Sequence, residues 1–434
     1  MRPHIRSIET LSANSASTSD TWIVNFNKKI KIRPGDEREY GDLTITYDTA
    51  FMKIFFYFVD VGKKSESYES MRALAYEAIF YVRVTNPLIF SGACPYFVTC
   101  YDSNYDCTFD QMAALLTGTV KPSLTEEEIR ENLMRNAAYM LRELPYRPAL
   151  AAKKSPKKRR RRMRDEPSVI VIDLDDVDPE TITAPEAMKL RYCCTLNQSM
   201  KGAATYAEWL YKKKKENSAQ ASMDIWAVVF QIAIACYAIF LSHAIHNDLH
   251  SGNIYIKESH GKPVMYEIDG KIYTFAPKYV PYLYDFDRGY IEWQGKNLIN
   301  VGVTCVKSAQ CNELVSNKDF IKSCCYLVDT IPSAVPQLTE ILGSKDGAFD
   351  KIKKDKKCWL RESKTKAFTS DWFMKSFSPI TDIIPRLYQQ VEGVSSSNID
   401  TSDIHCLGTA YFDSKGKIDA AAIVERIRKL SWTH

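Results

Sequence analysis

The reading of the chain starts from His246-Asn247-Asp248-Leu249-His250-Ser251-Gly252-Asn253, which follows directly on a long apolar run from Met223 to Ile245. Transfer of a phosphoryl group to a hydroxyl needs a carboxylate beside the attacking oxygen and, a few residues on, an amide oxygen that reaches a magnesium ion. In the spacing H-x-D-x-x-x-x-N those two groups are Asp248 and Asn253. The apolar run is long enough to raise the question of a membrane span. Gln231 in its middle and the polar, charged loop at its end predict a buried core helix instead, so no membrane association is expected.

At 434 residues and 45% hydrophobic, the chain can bury one large core split between two lobes, or two ordinary domains. Its twelve cysteines include no C-x-x-C spacing, and the adjacent pairs Cys193-Cys194 and Cys324-Cys325 do not easily point at one metal. Reduced, buried thiols in an intracellular protein are expected. Residues 1–31 are polar and lack the apolar centre of a secretory signal. The net charge of +5 is a local matter. Lys153 to Arg164 (KKSPKKRRRRMR) holds nine basic residues and no acidic one, and without those nine the total becomes −4. Specific nucleic-acid binding by the rest of the chain is therefore not expected.

Ile5 to Thr10, Thr21 to Phe26 (TWIVNF) and Thr44 to Phe58 (TITYDTAFMKIFFYF) are rich in Ile, Val, Thr and aromatic residues, with a turn at Pro34-Gly35-Asp36. They predict a small antiparallel sheet. Leu11 to Asp20 (LSANSASTSD) is made almost wholly of small residues; it suits backbone amides approaching a phosphate, and equally an ordinary polar surface loop. Lys53, in FMKIF, sends its ammonium from an apolar strand to a cleft, to an ion pair or to the solvent edge. A helical pattern covers Ser67 to Val82, with Glu77 near its apolar face, where a carboxylate needs a cationic partner such as Lys53. Tyr96 to Tyr101 and Lys189 to Asn197 are two further strands.

Residues 102–188 between those strands are expected to lie outside the sheet. Their first part is helical over Thr125 to Leu144, opening with a capping-box-like Ser123-Leu124-Thr125-Glu126, and 145–187 reads as flexible. Within it the basic run suits an import receptor or a polyanion, or is a solvating charge block. Val169-Ile170-Val171-Ile172, followed by Asp173, Asp175 and Asp176, resembles a SUMO-interaction motif, in which a strand adds to a sheet edge; a strand buried in the protein's own fold is the competing reading.

Beyond the loop, Ile254 to Ile256, Val264 to Phe275 and Tyr279 to Tyr284 read as strands. Asp285, in Tyr284-Asp285-Phe286-Asp287, ends an apolar strand, where it is placed either to hold a metal ion or to form a turn. Lys318 to Leu327, Ser333 to Leu342, Trp372 to Val391 and Ala420 to Leu430 are candidate helices.

In this order, small-residue loop, strand lysine, helix glutamate, connecting strand, apolar helix, HNDLHSGN and strand aspartate are the parts of the protein-kinase-like fold. The chain resembles divergent serine/threonine protein kinases of the type encoded by large DNA viruses, and its loop is similar to that of haspin. The resemblance covers roughly residues 5–101 and 189–330. It implies an α+β, bilobal fold: an antiparallel-sheet N-lobe with one main helix over 1–101, the insertion 102–188, the last N-lobe strand and hinge over 189–200, and a mainly helical C-lobe over 201–434. It further implies ATP-dependent phosphoryl transfer to Ser/Thr hydroxyls of proteins, with ATP and Mg2+. Lys53 would contact the α- and β-phosphates and Glu77 would hold it. Asp248 would orient the substrate hydroxyl and accept its proton, while Asn253 and Asp285 hold the metal. Asp319 would brace the loop from a central helix, and the adenine would lie near Cys194, Thr195, Leu196 and Asn197, the expected hinge. A viral kinase would work in the host-cell cytoplasm or nucleus, or with the virion.

The chain also departs from that family. It has no G-x-G-x-x-G; Asn247 replaces the usual arginine, His250 the usual lysine and Asp287 the usual glycine; and no A-P-E follows. Loops of the form H-x-D-L-H-x-x-N also resemble those of aminoglycoside and choline kinases, so a small-molecule hydroxyl is the alternative substrate. A pseudokinase scaffold is a third reading, and it would need none of Lys53, Asp248, Asn253 and Asp285.

Overall fold

The computed structural model describes residues 5–10, 20–32, 44–58, 76–117, 119–121, 124–143, 190–259, 261–295, 297, 313–354, 370–391 and 403–431. The fold is α+β with mainly antiparallel sheets. The small-residue loop (11–19), the basic run, the segment 169–178 and the first half of the helix expected from Ser67 lie outside the described residues.

Alternation builds the first sheet. In β1 (Ile5–Thr10), β2 (Asp20–Ile32) and β3 (Ile45–Phe58), every second side chain enters one core: Ile8, then Trp22, Val24 and Phe26, then Ala50, Met52 and Ile54. A strand sends successive side chains to opposite faces, so Lys53 leaves β3 on the other side. Next come a helix α1 (residues 76–90, with a π-helical turn at Tyr81–Thr85), β4 (Cys100–Thr108), α2 (Phe109–Leu116), β5 (Val120–Lys121), α3 (Glu126–Glu143) and β6 (Leu190–Gln198). The sheet order is β4-β6-β3-β2-β1-β5, with only β5 parallel to its neighbour.

This corrects the expectation that residues beyond Tyr101 stand outside the sheet. Asp102–Thr108 pairs with β6, and Phe109, Met112, Leu116, Ile129 and Leu133 complete the same core as Trp22 and Ile54. The cap of α3 also sits two residues later than expected. Thr125 Oγ1 accepts from Glu128 N at 3.2 Å and Glu128 Oε2 accepts from Thr125 N at 2.7 Å, the reciprocal pair that satisfies two otherwise orphaned amides.

The second half of the chain has its own core. β7 (Ala204–Thr205) and α4 (Tyr206–Glu216) lead to α5 (Ala219–Leu241), which is buried on almost every side. By length and composition α5 could cross a membrane, but 89% of its most apolar window is buried inside the protein. Around it lie β8 (Ala244–Ile245), β9 (Ile254–Glu258), β10 (Val264–Ile268), β11 (Lys271–Phe275), β12 (Tyr279–Leu283) and β13 (Tyr290–Ile291). Asp269 and Gly270, both at positive φ, form the two-residue turn joining β10 to β11. Then follow α6 (Lys318–Thr330), α7 (Val335–Ile341), α8 (Ala348–Lys354), α9 (Ser370–Ser376), α10 (Ile380–Tyr388), β14 (Ile404–Leu407) and α11 (Ala420–Ser431). The helix expected over Trp372 to Val391 is thus two helices, because Pro379 starts a new one at α10. β14, which adds in parallel to β10, was not anticipated. Cys94, Cys100, Cys107, Cys194, Cys236, Cys324, Cys325 and Cys406 are free thiols, and all of these but Cys107 are buried.

Candidate functional site

Lys53 leaves its strand on the face that meets α1 and the end of β12. There its Nζ donates to both carboxylate oxygens of Glu77, at 2.8 and 3.1 Å, and to Asp285 Oδ1. Lys53 is 6% exposed and Glu77 1% exposed. Burial works against the charge on Lys53, but Asp285, Glu77 and Asp287 outweigh it and hold the ammonium above its ordinary range. Burial also raises Glu77 against the pull of Lys53, and it raises Asp287, with Asp285 adding to the effect, to about 7. Three carboxylates thus act on one ammonium. With two of the three carboxyls raised by burial, such a cluster ionises fully only when a further cation joins it.

The loop His246–Asn253 lies between β8 and β9 and is fixed from below. Asp319, near the start of α6, accepts from the backbone N–H of His246 at 2.6 Å and of Asn247 at 2.9 Å. His246 is fully buried; its Nε2 faces Tyr284 O at 3.0 Å and its Nδ1 accepts from Asp248 N at 3.3 Å, which sets the neutral Nε2–H form. Asn253 Nδ2 donates to Asp248 O at 3.0 Å, so its amide oxygen is the atom left to meet a cation. Tyr284 N donates to Asn253 O at 3.2 Å and Tyr284 Oη to Gly252 O at 2.6 Å, which ties the loop to the strand end that carries Asp285. A Cβ on residue 252 would come within 2.7 Å of the His250 ring, so glycine lets the turn close.

Both functional loops contain a residue in the left-handed region, Asn247 at φ +65° and Asp285 at φ +68°. Asn and Asp tolerate it best, and surrounding bonds hold it in place. Asn247 Nδ2 donates to Arg288 O at 3.1 Å, and Asp285 N donates to Tyr81 Oη at 3.2 Å. Phe286 is buried between the two loops, with its ring stacked on Phe80 at 4.5 Å and tilted against His246 at 4.8 Å.

Asp248 is surrounded by the opposite charge. Lys322 Nζ lies 2.7 Å from its Oδ1, and Arg288 Nε lies 3.6 Å from its Oδ2. Burial alone would raise this carboxyl; Lys322 outweighs it, with His250 (once protonated, at low pH) and Arg288 adding to the effect, and brings it to about 2. Asp248 therefore stays ionised at any working pH. It is a firm hydrogen-bond acceptor and a weak base.

The sequence reading paired Lys53 with Glu77 and had Asp319 brace the loop that carries Asp248 and Asn253; both contacts are present, and Asp285 in addition meets Lys53. Lys322, Lys318 and Arg288 were missed. The signal for the two lysines was available, since they flank Asp319 on the same helix, one residue before it and three after. The expected hinge needs correction. Cys194–Asn197 lie inside β6, paired on both edges, with Lys53 opposite Thr195. Cys194 and Leu196 face the sheet's own core, while Thr195 and Asn197 share the Lys53 face. The connector to the second half is residues 199–203.

Among the described residues no three His, Cys, Asp or Glu side chains are grouped to hold a metal by themselves. Asp285 with the amide oxygen of Asn253 is nonetheless a suitable set for Mg2+, which keeps waters and substrate phosphates as its other ligands. No family model, curated protein or solved structure matches the chain.

Proposed function

We propose that this chain is a serine/threonine protein kinase with the two-lobed kinase architecture, transferring the terminal phosphoryl group of ATP to protein hydroxyls. One observation carries the reading: residues 53, 77, 248, 253 and 285, far apart in sequence, are gathered on a strand, a helix and two tied loops, braced by Asp319. In this reading the adenine lies beside Thr195, Asn197 and the connector 199–203. Lys53 binds the α- and β-phosphates and Glu77 holds it in place. Asp248 orients the attacking hydroxyl and takes its proton. Asp285 and Asn253 hold Mg2+, which neutralises charge on the transferred group when bound. Phe286, stacked on Phe80 and edge-on to Tyr81, anchors the strand end that carries Asp285.

Labelled ATP and Mg2+, offered with mixed proteins and separately with aminoglycosides or choline, test the proposal. Transfer to Ser/Thr of proteins that disappears in Asp248→Asn is expected. Transfer to small molecules alone would replace the protein substrate by a small one, and nucleotide binding without transfer would leave a scaffold. The basic run is proposed as an import signal in a host cell, and the segment 169–178 is proposed to bind SUMO. Deleting 153–164 should abolish nuclear accumulation and leave phosphoryl transfer intact, as read by microscopy and by the same assay.

A further inference from the structure

The site has two electrical halves. Around Lys53 three carboxylates act on one ammonium; around Asp248 two cations face one carboxylate. A metal suits the first half. In the second half Lys322 keeps one donor to spare beside Asp248, which suits an anion.

The loop itself does not supply that positive charge. Residues 246–253 contain no Lys or Arg, and the Nδ1 of His250 accepts a hydrogen bond from Gly252 N at 2.9 Å, which requires a lone pair on that nitrogen. His250 is thus a neutral ring. The charge comes instead from α6, through Lys322. Its Nζ donates to Asp248 Oδ1 at 2.7 Å and to Asn247 O at 3.2 Å. An ammonium has three donors, and among the described residues the third of Lys322 has no acceptor. The lysine is 5% exposed, whereas the Asp248 side chain it touches is 28% exposed, so the pair lies at the base of an opening. α6 is well held there, because Asp319 on the same helix binds the loop and Lys318 Nζ donates to Asn247 Oδ1 at 3.0 Å.

A hydroxyl bound to Asp248 lies about 3 Å from the carboxylate, and its oxygen must come about 3–3.5 Å from the phosphorus it attacks. An ammonium on the other oxygen of that carboxylate is then within a small side-chain movement of the phosphoryl oxygens. We propose that Lys322 binds the terminal phosphoryl group of the nucleotide and, in the same position, fixes Asp248. The charge that stabilises the transferred group thus comes from α6 and not from the catalytic loop. This rests on the kinase reading for its substrate, and on the geometry of Asp248 for its place.

The test compares the full chain with Lys322→Met and Lys322→Arg. Calorimetry measures the affinity of each for Mg2+ with AMP-PNP and for Mg2+ with ADP, and steady-state assays give kcat and KM. Lys322→Met should bind the AMP-PNP complex at least about tenfold more weakly while its ADP affinity holds. Its kcat should fall about 10²–10³-fold. Lys322→Arg should recover part of both, which guards against a Met variant that merely fails to fold. Equal loss of both nucleotides in a folded Met variant, or undiminished transfer, would overturn the assignment and leave the kinase reading intact. Wild type that shows the Lys322-dependent AMP-PNP preference but phosphorylates nothing would overturn the kinase reading alone. Wild type that binds neither nucleotide overturns both.

Discussion

The surroundings of Lys53 and of Asp248 are opposite answers to one problem. Lys53 is a buried cation among carboxylates contributed by α1 and the end of β12; Asp248 is a half-buried carboxylate among cations contributed by α6 and the chain after β12. Each charge is kept ionised by an excess of the other sign, and burial strengthens both pairs. The difference is directional. One half invites a cation and the other an anion, so a nucleotide with its metal would find both polarities already in place, with little reorganisation left to do.

The largest loss is expected at Asp248. On the proposed reading, Asp248→Asn keeps the shape and one accepting oxygen but cannot take up the hydroxyl proton, so kcat should fall about 10²–10⁴-fold while the KM for ATP stays near wild type. An unchanged kcat would remove Asp248 from the reaction. In the other half the split should reverse. Lys53→Met leaves three carboxylates without their ammonium, so ATP should bind more weakly as well as react about 10²–10³-fold more slowly. A Lys53→Met chain with wild-type ATP affinity would show that this half does not meet the phosphates.

How much of this was legible follows from where the information lies. HNDLHSGN carries its chemistry in consecutive residues, so Asp248 and Asn253 could be read directly. Lys53 and Glu77 were legible as a pair because each is a charge on an apolar face, which demands a partner. Asp319 was found through the resemblance, but Lys322, three residues on, was not, because a lysine in a helix normally reads as a solvated one. The hinge was misplaced because a short apolar strand gives no signal for its last residue; register against β3 decides it, and register is a tertiary property. The stretch 102–143 was set apart for a similar reason. Its helices cover a sheet face whose need for cover is invisible until the strands are paired.

Asp319 holds both halves of the comparison in register without touching either charge, so its effect should be smaller and of a different kind. Asp319→Ala removes the acceptor of two buried backbone amides and should cost about 3 kcal/mol of stability, with a fall in kcat from a loosened loop. Asp319→Asn keeps one acceptor and should lose less of both. Chemical denaturation of the two variants beside wild type reads the first, and the phosphoryl-transfer assay the second. Equal stability in all three would mean the loop is held by other bonds.

The gentlest test separates the charges of the site from the scaffold. His405, in β14, is buried, faces Gly92 O at 3.0 Å through Nδ1 and packs its ring on Tyr266 at 4.8 Å. Burial lowers it from 6.5 to about 4, and the bond to Gly92 only partly opposes this. Between those values the unfolded chain binds more protons than the folded one, so stability falls as the pH drops from 6.5 towards 4, by about 3 kcal/mol. Asp248 behaves differently. Its carboxyl is lowered to about 2, so its contribution is complete above the ordinary Asp value and is lost only as the pH falls through about 2. The two windows do not overlap. Over pH 6.5 to 4 the wild type should therefore lose stability relative to His405→Gln, which keeps an N–H donor but does not titrate, while the charge on Asp248 stays constant and the raised carboxyls of Glu77 and Asp287 act equally in both proteins. Urea unfolding at pH 7 and at pH 4.5 measures it, and the same slope in both proteins would place the acid sensitivity elsewhere than β14.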